Sequence, residues 1–366
     1  MRRALEAARR GWGATHPNPM VGAVIVENGR VVADGFHARA GEPHAEIMAL
    51  KNLGRAPAPG ATLYVTLEPC STTGRTPPCT EAIMRAGIKR VVVGATDPNP
   101  QHAGRGLAIL RKAGVEVVEG VLAVECADLN FIFNHWITQK TPLIAGKIAT
   151  TLDGRVATRA GQSKWITGTA ARRDAMRWRR LFPAIGVGAG TVLADDPQLT
   201  SRIGKNVWCP MRLVFDRTLR TVTKKLPRVY TDEYRKDTAV LCGSRPDRQR
   251  ERQLTRQGVI VFPVSSKEDS WVKGLREFCE SAKLPGVLIE GGPTLLSAFL
   301  AAGELDYLFA YRAPKFFADE SAIPALSGAV GERMNDAYSL ADVRHAVLGD
   351  DQLLRGRVVY PDGEGE

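Results

Sequence analysis

The sequence predicts an α/β protein with two domains, and three features of the chain indicate this fold class. Its 366 residues exceed what one ordinary hydrophobic core accommodates. Apolar β-branched runs alternate with helical patterns along both halves, which is typical of layered α/β folds. Thr141-Pro142 separates the halves, because a proline disfavours helix in the residue before it. We therefore expect one domain over residues 1–141 and a second over residues 142–366.

Composition and charge narrow the class of protein without identifying its substrate. With 44% hydrophobic and 24% charged residues, the chain resembles ordinary globular proteins. The net charge of +11 is diffuse, so it suits phosphorylated small molecules as well as nucleic acid. Six scattered cysteines do not form a disulfide framework, which favours the reducing cytoplasm. Residues 1–13 predict an amphipathic helix rather than a signal peptide, and no apolar run reaches membrane-spanning length, so we expect no membrane partner.

Strands and helices alternate through the first half of the chain. The expected helices cover residues 1–10, 44–53, 79–86, 107–112 and 124–139. The expected strands cover residues 21–26, 31–35, 61–67, 90–95 and 115–119. The Asn28-Gly29 pair predicts a tight hairpin between the first two strands. Thr15-His16-Pro17-Asn18-Pro19 ends the first helix, because both prolines disfavour helix in the residue before them.

The second half continues the alternation and ends in a hairpin. Strands are expected at residues 143–149, 184–188, 212–216, 238–242, 259–264, 286–290 and 305–311. Helices are expected at residues 271–282 and 293–302. Residues 343–348 and 353–360 flank Gly349-Asp350-Asp351 and predict a terminal antiparallel pair.

A set of metal-binding residue types dominates the first half. His44, Cys70 and Cys79 offer one imidazole and two thiols, which suit tetrahedral Zn²⁺. Three protein ligands leave a fourth position for water, as in catalytic rather than structural zinc sites. Glu46 adds a carboxylate that can carry protons, so we interpret it as the catalytic acid and base. The pattern H-A-E…P-C-x8-C resembles the zinc deaminase pattern with six extra residues between the thiols.

Two glycine-rich turns follow apolar strands in the second half. Gly186-Val187-Gly188-Ala189-Gly190-Thr191 fails the Rossmann pattern, because its last position is threonine. Glu290-Gly291-Gly292-Pro293-Thr294 lets a phosphate approach the backbone ahead of a helix, where Pro293 suits the first turn. From the residues alone, both stretches can equally be ordinary strand-to-helix turns.

Considered together, the motifs resemble the bifunctional riboflavin-biosynthesis deaminase/reductase family over nearly the whole chain. In the first half they are Pro17-Asn18-Pro19, His44-Ala45-Glu46, Thr66-Leu67-Glu68-Pro69-Cys70, Gly74-Arg75-Thr76-Pro77-Pro78-Cys79 and Asp97-Pro98-Asn99-Pro100. In the second half they are Leu152-Asp153-Gly154-Arg155, Ser163-Lys164-Trp165-Ile166-Thr167, Asp195-Asp196-Pro197 and Glu290-Gly291-Gly292-Pro293. The long spacer between the thiols belongs to this family.

The resemblance implies a fold, two activities and two cofactors. It implies a cytidine-deaminase-like three-layer α/β/α domain, followed by a dihydrofolate-reductase-like α/β domain. The first domain would use Zn²⁺ to deaminate a diamino-pyrimidinone ribosyl phosphate. The second would use NADPH to reduce the ribosyl chain of the product to a ribityl chain. The partner is then a small phosphorylated pyrimidine and not a nucleic acid, and we expect a homo-oligomer.

The resemblance also assigns roles to individual residues. Residues expected to hold the deaminase substrate are Asn18, His37, Arg75, Asp97 and Asn99. Residues expected to hold the reductase substrate are Lys147, Ser163, Arg179, Leu199, Arg202 and Glu290. Residues expected at the cofactor are Trp165, Thr167, Gly190, Thr191, Asp195, Gly291 and Gly292. Arg179 and Arg202 are candidate phosphate clamps, and Arg217, Arg220 and Arg245 are candidates for the 2′-phosphate of NADPH.

The chain departs from the family at two places. The histidine that commonly follows the first zinc cysteine is absent from Ser71-Thr72-Thr73, and Pro183 replaces an aspartate ahead of the glycine-rich strand. Arg75 can alternatively be a solvated loop arginine, and His37 a structural histidine.

Two other classes of function remain open at this point. A tRNA-type deaminase with an unrelated second domain would need a single-strand groove and a pocket for a flipped base. The long insert with Arg75 favours a small phosphorylated substrate instead. A degenerate deaminase acting as a scaffold is disfavoured, because the three ligands and Glu46 are all present.

Overall fold

A computed structural model describes residues 1–72, 77–204, 206–264, 271–328 and 331–361 of the chain. The chain divides into two compact units, Met1–Thr141 and Pro142–Glu366. Across the described ranges, none of the helices combines the length and the apolar character needed to cross a membrane.

The first unit contains a five-stranded mixed sheet. Its strands are β1 (Gly22–Glu27), β2 (Arg30–Phe36), β3 (Thr62–Leu67), β4 (Arg90–Ala95) and β5 (Glu116–Val118). Their spatial order is β2-β1-β3-β4-β5, with β1 antiparallel to both neighbours and β3, β4 and β5 parallel. The helices are α1 (Arg2–Ala8), α2 (Ala45–Leu53), α3 (Cys79–Arg85), α4 (Arg105–Lys112), α5 (Ala123–Leu129) and α6 (Phe131–Gln139).

Helices cover both faces of this sheet. On one face, alternate apolar residues of β1, β3 and β4 pack against α2, α3 and α4. On the other face, glycines allow helices to approach closely. A Cβ on Gly22 would lie 2.0 Å from the carbonyl oxygen of Ala4 in α1, and one on Gly94 would lie 2.3 Å from Cys126 Sγ in α5. The unit therefore has three layers, with the sheet in the middle.

The second unit is organised around a nine-stranded sheet. Seven of its strands are β6 (Leu143–Thr150), β8 (Ala184–Gly188), β11 (Met211–Phe215), β12 (Thr238–Cys242), β13 (Ile260–Pro263), β14 (Gly286–Glu290) and β15 (Tyr307–Arg312). The hairpin β17 (Ser339–Leu348) and β18 (Asp351–Val359) completes it, in the order β13-β12-β11-β8-β14-β6-β15-β18-β17. All pairs from β13 to β15 are parallel, and the hairpin is antiparallel. Short strands β7 (Arg155–Ala157), β9 (Ser201–Ile203), β10 (Asn206–Trp208) and β16 (Ile323–Pro324) form two small ribbons.

Helices again pack on both faces, as a buried parallel sheet requires. The helices are α7 (Thr169–Leu181), α8 (Ala189–Asp195), α9 (Arg248–Arg256), α10 (Trp271–Ser281) and α11 (Pro293–Ala301). One cluster joins the sheet to α10 and α11, and a second joins its other face to α8 and α9. Pro183 leaves the entry to β8 intact, because its carbonyl accepts a hydrogen bond from the backbone of Met211.

Three expectations about the elements were wrong or incomplete. The single helix expected over residues 124–139 is two helices, α5 and α6, which meet at Asn130. The side-chain amide of Asn130 pairs with the backbone N–H and carbonyl of Met20, at 2.8 and 2.9 Å, and its backbone leaves the helical region. The helix after β8 begins at Ala189, so Gly190 and Thr191 lie within its first turn. Helices α7 and α9 were not predicted.

Candidate active sites

The three predicted metal ligands lie together at the ends of elements in the first unit. His44 is the residue before α2, Cys70 follows β3, and Cys79 opens α3. Their ligand atoms all lie within 4.8 Å of one another. The Nδ1 atom of His44 is 3.3 Å from Cys79 Sγ and 3.5 Å from Cys70 Sγ.

These distances fit a tetrahedral zinc ion. With Zn–S near 2.3 Å and Zn–N near 2.0 Å, tetrahedral angles separate nitrogen from sulfur by about 3.5 Å. The geometry also identifies Nδ1 as the nitrogen of His44 that would bind the metal. Within the described ranges this cluster holds three ligands, so a fourth position is left for a small molecule.

The surroundings of the two thiols suit the binding of a cation. Hydrogen bonding from Cys79 and His44, and from the backbone N–H of Cys79, lowers the pKa of Cys70, although burial opposes this. Hydrogen bonding to Cys70, together with burial, raises the pKa of Cys79. The hydrogen bond with Cys70 also raises the pKa of His44. Without metal the two thiols therefore share a proton, which a zinc ion would displace.

Glu46 lies in the first turn of α2, beside these ligands. It is only 3% exposed, and its carboxylate is within hydrogen-bonding reach of Cys79. Burial, with a further contribution from Cys70, raises the pKa of Glu46 to about 7. A bound cation would act in the opposite direction by favouring the carboxylate. Without a metal ion, the group can therefore accept and release a proton near neutral pH.

Two of the residues expected to hold the deaminase substrate form a pair next to His44. The imidazole of His37 lies 5.5 Å from that of His44, centre to centre. Its Nδ1 donates to the carbonyl of Pro43 at 3.2 Å, so its Nε2 accepts from Asn18 Nδ2 at 3.1 Å. Burial lowers the pKa of His37, which keeps the ring neutral in this arrangement. Its contacts therefore combine a structural role with a position beside the metal ligands.

The other substrate residues of this half lie on one loop or outside the described part of the chain. Asp97 and Asn99 follow β4, where the Oδ1 atom of Asp97 accepts the backbone N–H of Asn99 at 2.9 Å. Burial raises the pKa of Asp97, with smaller contributions from Glu68 and Cys70 nearby. Arg75 falls outside the described residues.

In the second unit, the predicted site residues line one cavity of about 1380 Å³. The cavity is formed by the carboxyl ends of β6, β8 and β14 and by residues of the 161–167 loop, α7 and α8. Its walls include Lys147, Ser163, Trp165, Thr167, Arg179, Gly190, Thr191, Asp195, Leu199, Arg202, Glu290, Gly291 and Gly292. A crevice at the carboxyl ends of parallel strands is where α/β proteins bind ligands.

The two glycine-rich turns meet in this cavity. A Cβ on Gly291 would lie 3.5 Å from Thr191 Oγ1, and one on Gly292 would lie 3.6 Å from the same atom. Both glycines have positive φ angles, of 84° and 77°, which L side chains rarely adopt. The backbone of both turns is therefore accessible to a ligand between β8 and β14.

A charged cluster forms one wall of the cavity. Lys147 and Glu290 are directly opposed on neighbouring parallel strands. Arg179 donates two hydrogen bonds to the carboxylate of Glu290, at 2.7 and 2.8 Å, and a third to the carbonyl of Thr200. Burial would raise the pKa of Glu290, but Arg179 and Lys147 lower it; burial lowers the pKa of Lys147. Because the guanidinium of Arg179 already forms an ion pair with Glu290, Arg179 is less suited to binding a phosphate than the exposed Arg202.

Two residues near the cavity mouth were missed from the sequence. The guanidinium of Arg172 lies 4.5 Å from the ring centre of Trp165, which is 64% exposed, and donates to the carbonyl of Thr167. Lys164 pairs with Asp195 at 3.1 Å. Arg172 belongs to the unpredicted helix α7. Lys164 lies within the Ser163–Thr167 motif, but its partner is 31 positions later, so the motif did not indicate the pairing.

The three arginines considered for the NADPH 2′-phosphate are placed differently. Arg220 Nη2 lies 3.8 Å from the position of a Cβ on Gly190. Arg217 packs near Trp271, with 5.7 Å between its guanidinium carbon and the ring centre. Arg245 is exposed and follows β12. Of the three, Arg220 is the one that the structure places beside Gly190, a residue of the predicted cofactor site.

Both units match known families. Residues 1–95 match the cytidine and deoxycytidylate deaminase zinc-binding region, and residues 142–351 match the RibD C-terminal domain. The expected fold class is confirmed: a cytidine-deaminase-like unit is followed by a dihydrofolate-reductase-like unit.

Relatives similar to the chain span nearly its whole length. Riboflavin biosynthesis protein RibD of Actinobacillus pleuropneumoniae is 41% identical over 362 residues, covering 99% of this chain and 95% of the relative. The structure of Acinetobacter baumannii RibD, form 1, matches with a TM-score of 0.80 and 38% identity, over 98% of this chain and 97% of that one. A diaminohydroxyphosphoribosylaminopyrimidine deaminase/5-amino-6-(5-phosphoribosylamino)uracil reductase from Thermotoga maritima matches with a TM-score of 0.80 and 36% identity, over the same shares of both chains. The chain thus belongs to the RibD family, whose members are bifunctional riboflavin-biosynthesis enzymes that join a zinc-dependent deaminase to an NADPH-dependent reductase.

Proposed function

We propose that the first unit deaminates a diamino-pyrimidinone ribosyl phosphate and that the second unit reduces the deaminated product with NADPH. The observation that carries the first reaction is the set of three ligand atoms within 4.8 Å, with the buried carboxylate of Glu46 beside it. The deaminase and reductase activities named for the Thermotoga maritima relative support the choice of substrate.

In the first reaction, Glu46 moves the protons. Zinc, when bound, supplies a Lewis acid that lowers the pKa of a coordinated water molecule. Glu46 takes the proton of the attacking water at its carboxylate and delivers it to a ring nitrogen. It then takes a second proton, from the hydroxyl that now stands on the ring carbon, and delivers it to the amine. The carbon–nitrogen bond breaks, ammonia leaves, and the oxygen stays on the ring carbon as a carbonyl. Its burial favours this role, because a proton held near neutral pH is readily returned.

The substrate of this unit is held by polar groups around the metal ligands. Asn18 and the neutral His37 lie on one side, next to His44, and Asp97 and Asn99 lie on the loop after β4. Arg75, outside the described residues, remains a prediction for phosphate or ring recognition.

Replacing Cys79 should remove the metal. Wild-type protein is expected to carry about one zinc per chain, because three N and S ligands suffice for a catalytic site. Cys79→Ala leaves two ligands, so metal analysis after dialysis should find occupancy far below one. Cys126→Ala provides the matched control, since Cys126 is a buried thiol of the same unit that contacts Gly94. Full zinc occupancy in Cys79→Ala would show that the ligand assignment is wrong.

In the second reaction, the charged wall of the cavity orients the ribosyl chain. NADPH, when bound, supplies the hydride for the sugar carbon attached to nitrogen. Lys147 holds a proton at Nζ and donates it to the ring oxygen of the ribose. The bond between this oxygen and the carbon attached to nitrogen breaks, and that carbon accepts the hydride. Burial lowers the pKa of Lys147, and Glu290 opposes this by favouring the charged form; Glu290 is itself held by Arg179. Arg202, exposed at the cavity, supplies positive charge for the substrate phosphate.

The surroundings of Gly190 support NADPH over NADH. In folds that bind NADH, an acidic residue at a neighbouring strand end commonly accepts hydrogen bonds from the ribose hydroxyls. Asp216 occupies such a position after β11, but its buried carboxylate already accepts from Arg220 N, Thr221 N and Thr221 Oγ1. Arg220, held by this turn, offers a guanidinium close to Gly190. We infer that Arg220 recognises the 2′-phosphate.

Arg220→Ala should therefore weaken NADPH binding selectively. Loss of a charge-assisted hydrogen bond is expected to raise the Kd for NADPH about 10- to 100-fold. The Kd for NADH should stay the same, because NADH has no 2′-phosphate. Fluorescence titration of both nucleotides measures this directly, with Arg245→Ala as the matched control. Equal affinity of the wild-type protein for NADPH and NADH would mean that no 2′-phosphate site exists.

We further propose a cytoplasmic enzyme that acts on small molecules. All six cysteines are free, which supports a reducing compartment. A tRNA-type deaminase would instead bind RNA with an affinity that falls steeply with salt. The homo-oligomer remains a prediction, for which sedimentation of the purified chain is the measurement.

A further inference from the structure

Glu68 is a buried carboxylate that the proposed chemistry does not use. It is 6% exposed and lies between β3 and the zinc ligand Cys70. Its oxygens accept three backbone hydrogen bonds: Oε2 from Asp97 at 3.1 Å and from Gly104 at 2.9 Å, and Oε1 from Gly106 at 2.9 Å. All three donors belong to the segment that connects β4 to α4 and enters that helix.

This segment carries two of the residues assigned to the deaminase substrate. Its own turns are short-range, with Asp97 accepting from Asn99 N and Asn99 accepting from Gln101 N. Such turns define local shape but not the distance to the metal ligands. The hydrogen bonds to Glu68 connect the segment to the strand end that carries Cys70. Charge-assisted hydrogen bonds to a buried carboxylate are stronger than neutral ones.

The segment also approaches the metal strand without space for a side chain. A Cβ on Gly106 would lie 2.2 Å from the carbonyl oxygen of Pro69, the residue before Cys70. Backbone contact at Pro69 and three bonds to Glu68 therefore fix the loop against the residues that deliver the ligand.

We propose that Glu68 is a positioning residue for the deamination reaction. It sets the distance between Cys70 and the side chains of Asp97 and Asn99, so it governs how well substrate is held rather than the proton transfer itself. The proposal rests on the proposed function, because Asp97 and Asn99 must bind substrate for their position to matter.

Glu68→Gln tests this with little change in shape. The amide has a single oxygen, so either Gly106 or the pair Asp97 and Gly104 loses its acceptor. We expect the KM for the diamino substrate to rise about tenfold, with kcat and zinc content close to wild type. Gly106→Ala displaces the same loop while keeping the carboxylate, and we expect it to raise the KM in the same way.

Glu27→Gln is the matched control for stability. Glu27 is another buried carboxylate of the same unit, bonded to Arg55 and to the backbone N–H of Ala58. Its replacement should lower the Tm without changing the KM for deamination. In all three variants, NADPH oxidation with pre-deaminated substrate should continue, which reports on the second unit.

The possible outcomes distinguish a failure of the positioning role of Glu68 from a failure of the proposed function. An unchanged KM in a zinc-loaded Glu68→Gln protein overturns the positioning role. If that variant loses zinc, Gly106→Ala decides, and an unchanged KM there also overturns it. A raised KM in Glu27→Gln would equally contradict it, because the effect would then follow stability. Failure of the wild-type protein to release ammonia from the substrate would instead contradict the proposed function.

Discussion

The Glu46→Gln protein is expected to keep its zinc and its fold but to lose deamination, by about 10²–10⁴-fold or more. The amide has nearly the shape of the carboxylate but cannot accept the water proton or return it. Because Glu46 lies outside the proposed ligand set, His44, Cys70 and Cys79 should still hold the ion. Ammonia release from the diamino substrate measures the loss, and metal analysis measures the retained zinc.

The same protein contains its own control. Supplied with pre-deaminated substrate, Glu46→Gln should oxidise NADPH at the wild-type rate, because the described residues that line the reductase cavity belong to the second unit. Loss of both activities in a folded, zinc-loaded variant would contradict the assignment of the two reactions to separate sites.

Lys147→Met should have the largest effect on the second reaction. Removing the proton donor is expected to slow NADPH oxidation by about 10²–10⁴-fold, while nucleotide binding changes little. Burial makes the charged lysine costly here, so an uncharged side chain of similar length should not lower stability. Lys224→Met, on an exposed loop, is the matched control. An undiminished reductase rate in Lys147→Met would show that another group donates the proton.

The pH profile gives an independent readout of the same residue. Burial lowers the pKa of Lys147, so the donor loses its proton below the ordinary lysine range. The reductase rate should therefore fall as pH rises, with a midpoint below about 10.4, the unperturbed lysine value. This alkaline decline should be absent from the residual activity of Lys147→Met.

The sequence predicted those parts of the molecule whose residues are close in the chain or follow a recognisable pattern. Each of the three zinc ligands was assigned to an element end, and the structure brings their atoms together. The strands of the parallel sheet were visible as apolar runs, and the Asn28-Gly29 hairpin follows from turn chemistry.

The parts that were missed depend on contacts between distant residues. Helix α7 buries Ala171, Asp174, Trp178 and Leu181. The buried Asp174 interrupts the spacing of apolar residues by which an amphipathic helix is recognised. The carboxylate of Asp174 is satisfied by Trp178 Nε1 and by Tyr311 Oη, which lies 137 positions away. The break at Asn130 has a similar cause, since its partner Met20 lies 110 positions away. Local propensity contains no information about either partner.

The same reason explains what could not be assigned within the sites. Glu68 belongs to a motif that pointed to zinc, but its partners are backbone N–H groups 29 to 38 positions later. The pairing of Arg179 with Glu290 joins residues 111 positions apart, and the sequence alone suggested a phosphate contact for the arginine. Only the folded chain shows which charges are already paired.

The order of the two reactions tests the central claim most directly. Ammonia release and NADPH oxidation should be followed together after the diamino substrate is mixed with wild-type protein and with Glu46→Gln. The account predicts that wild-type protein releases ammonia even without NADPH, and that with NADPH it consumes one nucleotide per ammonia released. It also predicts that Glu46→Gln oxidises no NADPH until pre-deaminated substrate is added. NADPH oxidation by Glu46→Gln on the undeaminated substrate would contradict the account.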